Sequence, residues 1–288
     1  MNYTNGQHGI YPTRGQTERL IERKDPILYG YRHLAEGLND EELTQYGNRG
    51  FLILPNAFSK SEISALYSEV KLQSKRRKYC YMKDNGQMQP DNSKNLFDMH
   101  KMSERILKFT REKKITHKVK QILGSDVYLH QSQINIADEK TGISYPWHSQ
   151  FERWYAEHGV PRMRCMEAWV MLTESTMHNG AMCLLDRSHN IFVSCAQADG
   201  PSRETLTRLL GFGGVTNAYV TAGTLVLCDG NLMCGMTKSV VSSPRAIAMF
   251  SYNSVENRPL EERAPENEME WETSLPMPVG ATYAKTAA

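Results

Sequence analysis

From Val127 the chain reads Val127-Tyr128-Leu129-His130-Gln131-Ser132-Gln133-Ile134-Asn135-Ile136, and along this stretch the apolar period falls to two. Successive side chains of an extended backbone take opposite faces, so Gln131, Gln133 and Asn135 share one. A buried amide must find hydrogen-bond partners. Three on one face therefore read as a polar pocket, with an exposed sheet face as the competing possibility. Further strand-like segments follow at 166–172, 181–185, 224–228 and 246–252, separated by Gly, Asn, Asp and Ser turns.

Upstream the pattern is helical. Asp40-Glu41-Glu42 places acids in the first turn of a short helix expected to end near Gly47, and Phe51 to Leu54 is a brief apolar strand. Ser59-Lys60-Ser61-Glu62 forms a capping box ahead of Ile63, Leu66, Tyr67 and Val70 at helical spacing. Another helix runs to about Leu123, where Gly124 stops it. Helices first and strands afterwards predict a mainly β fold with flanking helices, its core a double-stranded β-helix, the cupin-like jelly roll. The organisation expected is an irregular polar arm over 1–38, one jelly-roll domain over 39–257, and an irregular acidic tail over 258–288. The Gly-rich stretch from Ala196 to Val220 is long for a connection and is expected to be a lid or a mobile loop.

Composition narrows the function classes. A formal charge of +2 over 288 residues gives no general electrostatic case for nucleic acid or a membrane surface. The basic run Lys75-Arg76-Arg77-Lys78 reads as a solvated helix end. No apolar run spans a bilayer, and residues 1–9 carry no apolar signal core. Six cysteines without a CxxC pair read as reduced thiols of a cytoplasmic protein, most of them small core hydrophobes.

Two further stretches carry candidate chemistry. In Tyr145-Pro146-Trp147-His148-Ser149-Gln150, His148 and Gln150 lie two apart and are expected on one face of an extended chain. A His-x-Asp there would supply two of the three ligands of a facial triad for non-haem iron; here an amide holds the second place. In Asp229-Gly230-Asn231-Leu232-Met233-Cys234-Gly235, the loop from which such a site takes its last His carries Cys234. Arg245 opens the next strand, where a guanidinium can pair bidentately with a carboxylate.

These stretches resemble the phytanoyl-CoA dioxygenase superfamily, and within it the ectoine hydroxylases. The resemblance runs through Tyr11-Pro12-Thr13-Arg14, Asp25-Pro26, Gln121 to Ser132 (QILGSDVYLHQS), Trp147-His148-Ser149, Phe151-Glu152-Arg153-Trp154 and Gly159-Val160-Pro161-Arg162-Met163-Arg164. It continues through Ser188-His189, Phe192-Val193-Ser194-Cys195, Pro244-Arg245 and Tyr252-Asn253-Ser254-Val255-Glu256-Asn257. It implies an Fe(II)/2-oxoglutarate oxygenase framework with His148 at the first iron ligand and Arg245 at the co-substrate anchor. Gln150 stands at the Asp ligand, Cys234 at the second His, and Gln133 where an Arg assists the co-substrate. Gln131 and Trp154 match positions used around the substrate.

Three substituted positions together lead to the expectation of a metal-independent catalyst acting on a small polar or natural-product substrate by isomerisation, cyclisation or elimination. His148, Gln150 and Cys234 would be its catalytic positions; Gln131, Gln133, Trp154 and Arg245 would bind substrate. On that reading no cofactor is expected; Fe(II) and 2-oxoglutarate return if the resemblance outweighs the substitutions. Two alternatives stand beside it: a non-catalytic or ligand-binding partner, as a homodimer or in a heterodimer with an active homologue, and an active iron oxygenase with an unusual His/Gln/Cys site. A small-molecule ligand is expected, and neither nucleic acid nor membrane.

Overall fold

A computed structural model describes residues 10–30, 34–76, 80–82, 88–90, 95–137, 145–196 and 200–259. The expectations for residues 1–9, for Arg77 and Lys78, and for nearly all of the acidic tail lie outside these residues. Two antiparallel sheets face each other. The larger has six strands in the order Phe51–Leu54, Leu225–Asp229, Cys165–Met171, Arg245–Ser254, Val127–Ala137, Asn95–Phe97. The smaller has four, in the order Val215–Asn217, Met182–Leu185, Cys234–Met236, Tyr145–His148. The jelly roll read from the strand pattern is the observed fold.

Strand alternation assigns the two sides of the larger sheet. Ala168, Val170, Leu225, Leu227, Ala246, Ala248 and Phe250 point outward and pack with Leu66 and Val70 of the Lys60–Arg76 helix and with Ile115, Val119 and Ile122 of the Lys113–Leu123 helix. The intervening residues Trp169, Met171, Val226, Ile247 and Met249 point into the space between the sheets, where they meet Met182, Leu184 and Cys234. Taking side chains such as Met171, Val226 and Ile247 out of water stabilises the barrel by about 1.5–3 kcal/mol each. No helix among the described residues is long and apolar enough to cross a membrane.

Several local expectations need correction. The first helix runs Asp40–Arg49, past Gly47, and is stopped by Gly50 at φ 82°. Gly50 is needed for space as well as for φ, since a Cβ there would lie 2.4 Å from Nδ1 of His189. The arm is not wholly irregular: Arg19–Glu22 forms a strand antiparallel to Ile191–Ser194. The stretch expected as a lid or mobile loop contains the Arg203–Gly213 helix and the Val215–Asn217 strand. Ser202 caps that helix by accepting from the Thr205 amide, and Leu206 and Leu209 seat it against Leu185 and Val193. Burial of this apolar stripe outweighs the glycines at the helix end.

A buried guanidinium is one of the anchors of the arm. Arg23 donates through Nη1 to both carboxylate oxygens of Asp229 at 2.9 Å, through Nε to the Asp25 carbonyl at 2.9 Å, and through Nη2 to the Pro26 carbonyl at 2.8 Å. Both side chains of this ion pair are buried. Asp229 then accepts from the Asn231 amide at 2.8 Å, which folds the loop leading to Cys234.

Candidate functional site

The site begins at a ladder contact. The Cys234–Met236 strand pairs with Tyr145–His148 so that Cys234 lies opposite His148. The Cys234 thiol donates to the His148 carbonyl at 3.7 Å. Burial pushes this thiol well above its ordinary pKa, with the Glu167 carboxyl adding to the effect, so it rests as S–H. Burial likewise lowers the pKa of His148 and keeps the ring neutral. A carbonyl can only accept, so the 2.9 Å contact of Nδ1 with the Pro146 carbonyl puts the proton on Nδ1. Nε2 is left with a lone pair facing the site, the tautomer a metal-binding imidazole adopts.

Gln150 reaches His148 by a route that alternation misses. The strand ends at His148, Ser149 caps a helix by accepting from the Glu152 amide, and Gln150 is that helix's first residue. Its Nε2 nevertheless lies 3.3 Å from Nε2 of His148. The turn is pinned from the Asp229 loop, because the Phe151 amide donates to the Gly230 carbonyl at 2.7 Å. His148, Gln150 and Cys234 are thus brought together, but through a capped helix start and not through one extended segment.

The other expected residues divide. Gln131, Gln133 and Asn135 lie opposite Ser251, Met249 and Ile247, on the face turned between the sheets. Arg245 is buried at the start of its strand, with Nη2 2.7 Å from Oδ1 of Asn135 and 3.4 Å from the Met236 sulfur. Met236 lies two residues from Cys234, so Arg245 approaches the same strand as the thiol. Trp154 sits in a buried aromatic cluster with Tyr11, Phe151, Tyr155 and Phe192, and its ring centroid is 5.1 Å from His130.

Two features escaped the sequence reading. His130 and His158 meet at 3.0 Å between Nε2 and Nδ1; burial, with His158 adding to it, pushes the His130 pKa down to about 3. Glu167 lies inside the barrel in an otherwise apolar strand, opposite Cys228 on one side and Ser251 on the other. Burial lifts its carboxyl to about 7 against a donated bond from Ser251. The Ser251 hydroxyl donates at 3.2 Å. The Trp169 indole lies close enough to favour the ionised carboxylate, yet its N–H meets no acceptor in hydrogen-bonding geometry. A lone acid among Met, Ala, Trp and Val was the available signal.

The donors depart from a two-histidine, one-carboxylate set. They are an imidazole nitrogen, an amide and a thiol, and among the described residues no three His, Cys, Asp or Glu side chains group as metal ligands. The charge count argues the other way. One carboxylate gives a facial triad a charge of about −1, and Cys234 restores it on ionising, since a divalent ion deprotonates a coordinating thiol. On that count the set fits a transition metal that accepts sulfur and nitrogen donors.

Comparison with known proteins bears on the same point. The model of the family Phytanoyl-CoA dioxygenase (PhyH) matches residues 46–238. The ectoine dioxygenase of Bordetella bronchiseptica is 32% identical over 266 residues, covering 85% of this chain and 86% of that protein. The crystal structure of EctD from S. alaskensis with 2-oxoglutarate and 5-hydroxyectoine superposes with a TM-score of 0.80 at 26% identity, covering 90% of this chain and 92% of that one. EctD from S. alaskensis with bound Fe gives 0.79 at 26% identity, covering 89% and 92%. These findings overturn the expectation of a metal-independent catalyst, since likeness over most of the chain is to dioxygenases and to structures holding iron and 2-oxoglutarate. The physical reason is that three substitutions were counted as three losses, whereas Cys234 can carry the charge that Gln150 gave up.

Proposed function

This chain belongs to the phytanoyl-CoA dioxygenase family, and from that premise we propose that it is a non-haem iron, 2-oxoglutarate-dependent oxygenase acting on a small polar molecule. Its metal position is furnished by His148, Gln150 and Cys234. The observation that carries this reading is the ladder pair Cys234–His148 with the Gln150 amide on Nε2 of His148. Iron held there would supply the oxidising power for inserting oxygen into a substrate C–H bond at the expense of 2-oxoglutarate.

The chain's own residues have defined tasks. The Pro146 carbonyl fixes the His148 ring so that Nε2 faces the site. Gln150 now directs N–H to that nitrogen, so it must turn its amide to offer oxygen instead. Arg245 anchors a carboxylate of the co-substrate through charge-assisted bonds, and Asn135 orients the guanidinium. Met171, Ile247 and Met249 keep water from the space between the sheets.

Anaerobic titration with Fe(II) or Co(II) tests the assignment. A thiolate-to-metal charge-transfer band near one equivalent is expected, lost in Cys234→Ser and in His148→Ala, with 2-oxoglutarate-dependent oxygen uptake in the loaded protein. Absence of the band and of metal retention would overturn it. The N–H that Gln150 now gives to His148 favours a second reading, a ligand-binding subunit without turnover. The same titration separates the two, because that subunit retains no metal.

A further inference from the structure

Three residues, Asp229-Gly230-Asn231, hold both limbs of the metal position. The Gly230 carbonyl accepts from the Phe151 amide at 2.7 Å and lies 3.3 Å from the Ser149 hydroxyl, so it grips the chain on either side of Gln150. The same hydroxyl lies 3.3 Å from Oδ1 of Asn231. Nδ2 of Asn231 donates to the carbonyls of His189 and Ile191, both at 3.0 Å, and three residues further on the chain delivers Cys234. Close packing leaves the tripeptide little room, since a Cβ at Gly230 would lie 2.7 Å from the Cys165 sulfur.

Asp229 shapes this tripeptide by accepting from the Asn231 amide, and its own buried carboxylate is paired with Arg23. Nη1 of Arg23, which meets both Asp229 oxygens, also lies 3.3 Å from the His189 carbonyl, the one that Asn231 uses. A ring therefore runs from guanidinium to carboxylate to Asn231 to the His189 carbonyl and back. Without the cation, Asp229 must take a proton or turn towards water, because a buried unpaired carboxylate is costly. Either change weakens its hold on the Asn231 amide, and so on Gly230 and the run to Cys234. The same arm reaches the other limb. Arg14 donates to Glu152 through Nε at 2.8 Å and Nη2 at 2.9 Å, and the Glu152 amide is the one that Ser149 caps.

We propose that Arg23 is a positioning residue for the metal donors, acting through Asp229 on Cys234 and through Gly230 on Gln150. The proposal rests on the reading of His148, Gln150 and Cys234 as a metal position, and adds the arm to it: the site is complete only with Arg23 seated. Groups that orient metal ligands from behind typically matter about 10–100-fold in metal affinity.

Full-length native protein and Arg23→Met are titrated anaerobically with Co(II), the thiolate-to-metal band giving the affinity. Arg23→Met is expected to bind about 10–100-fold more weakly, and Arg23→Lys, which keeps the charge, to recover part of the loss. Leu66→Ala opens a cavity in the outer core; it lowers stability without touching the loop and should bind Co(II) as the native protein does. A second readout needs no metal. Iodoacetamide labelling, resolved by peptide mass spectrometry, compares Cys234 with Cys228, which is held between two paired strands. Global unfolding exposes both thiols alike, whereas a loosened loop exposes Cys234 first. The ratio of Cys234 to Cys228 labelling should rise in Arg23→Met and keep its native value in Leu66→Ala. Arg23→Lys is read in the same way and covers the case in which the methionine variant does not fold. Equal Co(II) affinity in native and Arg23→Met protein, an equal loss in Leu66→Ala, or an unchanged labelling ratio would overturn the positioning role. Native protein that takes up no Co(II) would instead sink the metal reading, and the labelling ratio would still decide whether Arg23 holds the loop.

Discussion

Replacing Arg23 by methionine should cost far more than an ordinary ion pair. Arg23 and Asp229 are both buried, with side-chain exposures of 3% and 2%. The substitution therefore leaves a carboxylate stranded away from water while keeping most of the packing volume. Breaking one partner of a buried pair costs about 3–5 kcal/mol, because the survivor cannot be rehydrated. The same change removes the donor from the part-buried Asp25 carbonyl, which Arg23 meets at 2.9 Å, whereas the exposed Pro26 carbonyl can turn to water. For a chain of this length the loss corresponds to a fall in Tm of roughly 6–20 °C. Urea unfolding followed by far-UV circular dichroism measures it directly. Adding Asp229→Asn removes the stranded charge but keeps an acceptor for the Asn231 amide, so the double variant should recover about 1–3 kcal/mol over the sum of the single losses. A single-variant loss below about 1 kcal/mol, or strict additivity of the two changes, would refute the claim that the stranded charge dominates.

Two other expectations concern stability. An ordinary glutamate titrates near 4.5, whereas Glu167 in the fold is pushed up to about 7; between those values the folded protein keeps a proton that the unfolded chain has released, so stability falls as pH rises through the window. Glu167→Gln removes that dependence, and its urea stability relative to the native protein should improve by up to about 3 kcal/mol between about pH 4 and about pH 8; a difference constant with pH would contradict the buried-acid account. Gly50→Ala forces a side chain to φ 82° and a Cβ to 2.4 Å from the ring of His189, itself fully buried. The expected loss is about 2–4 kcal/mol in thermal or chemical unfolding, and a neutral result would mean that the helix end relaxes freely.

Much of the fold was legible because alternation is a local signal. Leu52, Val170, Leu227 and Phe250 each take the buried position that a period of two assigns, and neighbouring strands agree. The capped ends at Gly124 and Ser59 were equally plain, each being decided within four residues. The Arg203–Gly213 helix was missed because Gly211, Gly213 and Gly214 drew the eye from Ser202, Thr205, Leu206 and Leu209. In the site, His148 and Cys234 came from motif position, and the ladder supplies the contact. Gln150 was put on a strand because a two-residue offset looks the same whether the chain continues or a serine caps a helix. The His130–His158 pair joins residues 28 apart, and nothing local marks it. Glu167 was visible as a residue, but its isolation follows only from which strands flank it.

The pairing of Arg19–Glu22 with Ile191–Ser194 has a consequence for biosynthesis. Arg19 meets Ser194, so the first strand is made long before its partner exists. At about 5–20 residues per second the ribosome needs roughly 10–35 s to supply the intervening segment. Through that interval Leu20 and Ile21 have no edge to pair with, and neither Asp229 nor the loop before Cys234 has been made. Docking of the arm must therefore come late, as a long-range closure on a barrel already formed. Until that closure the apolar side chains of Leu20 and Ile21 lack the partner strand that covers them in the folded protein.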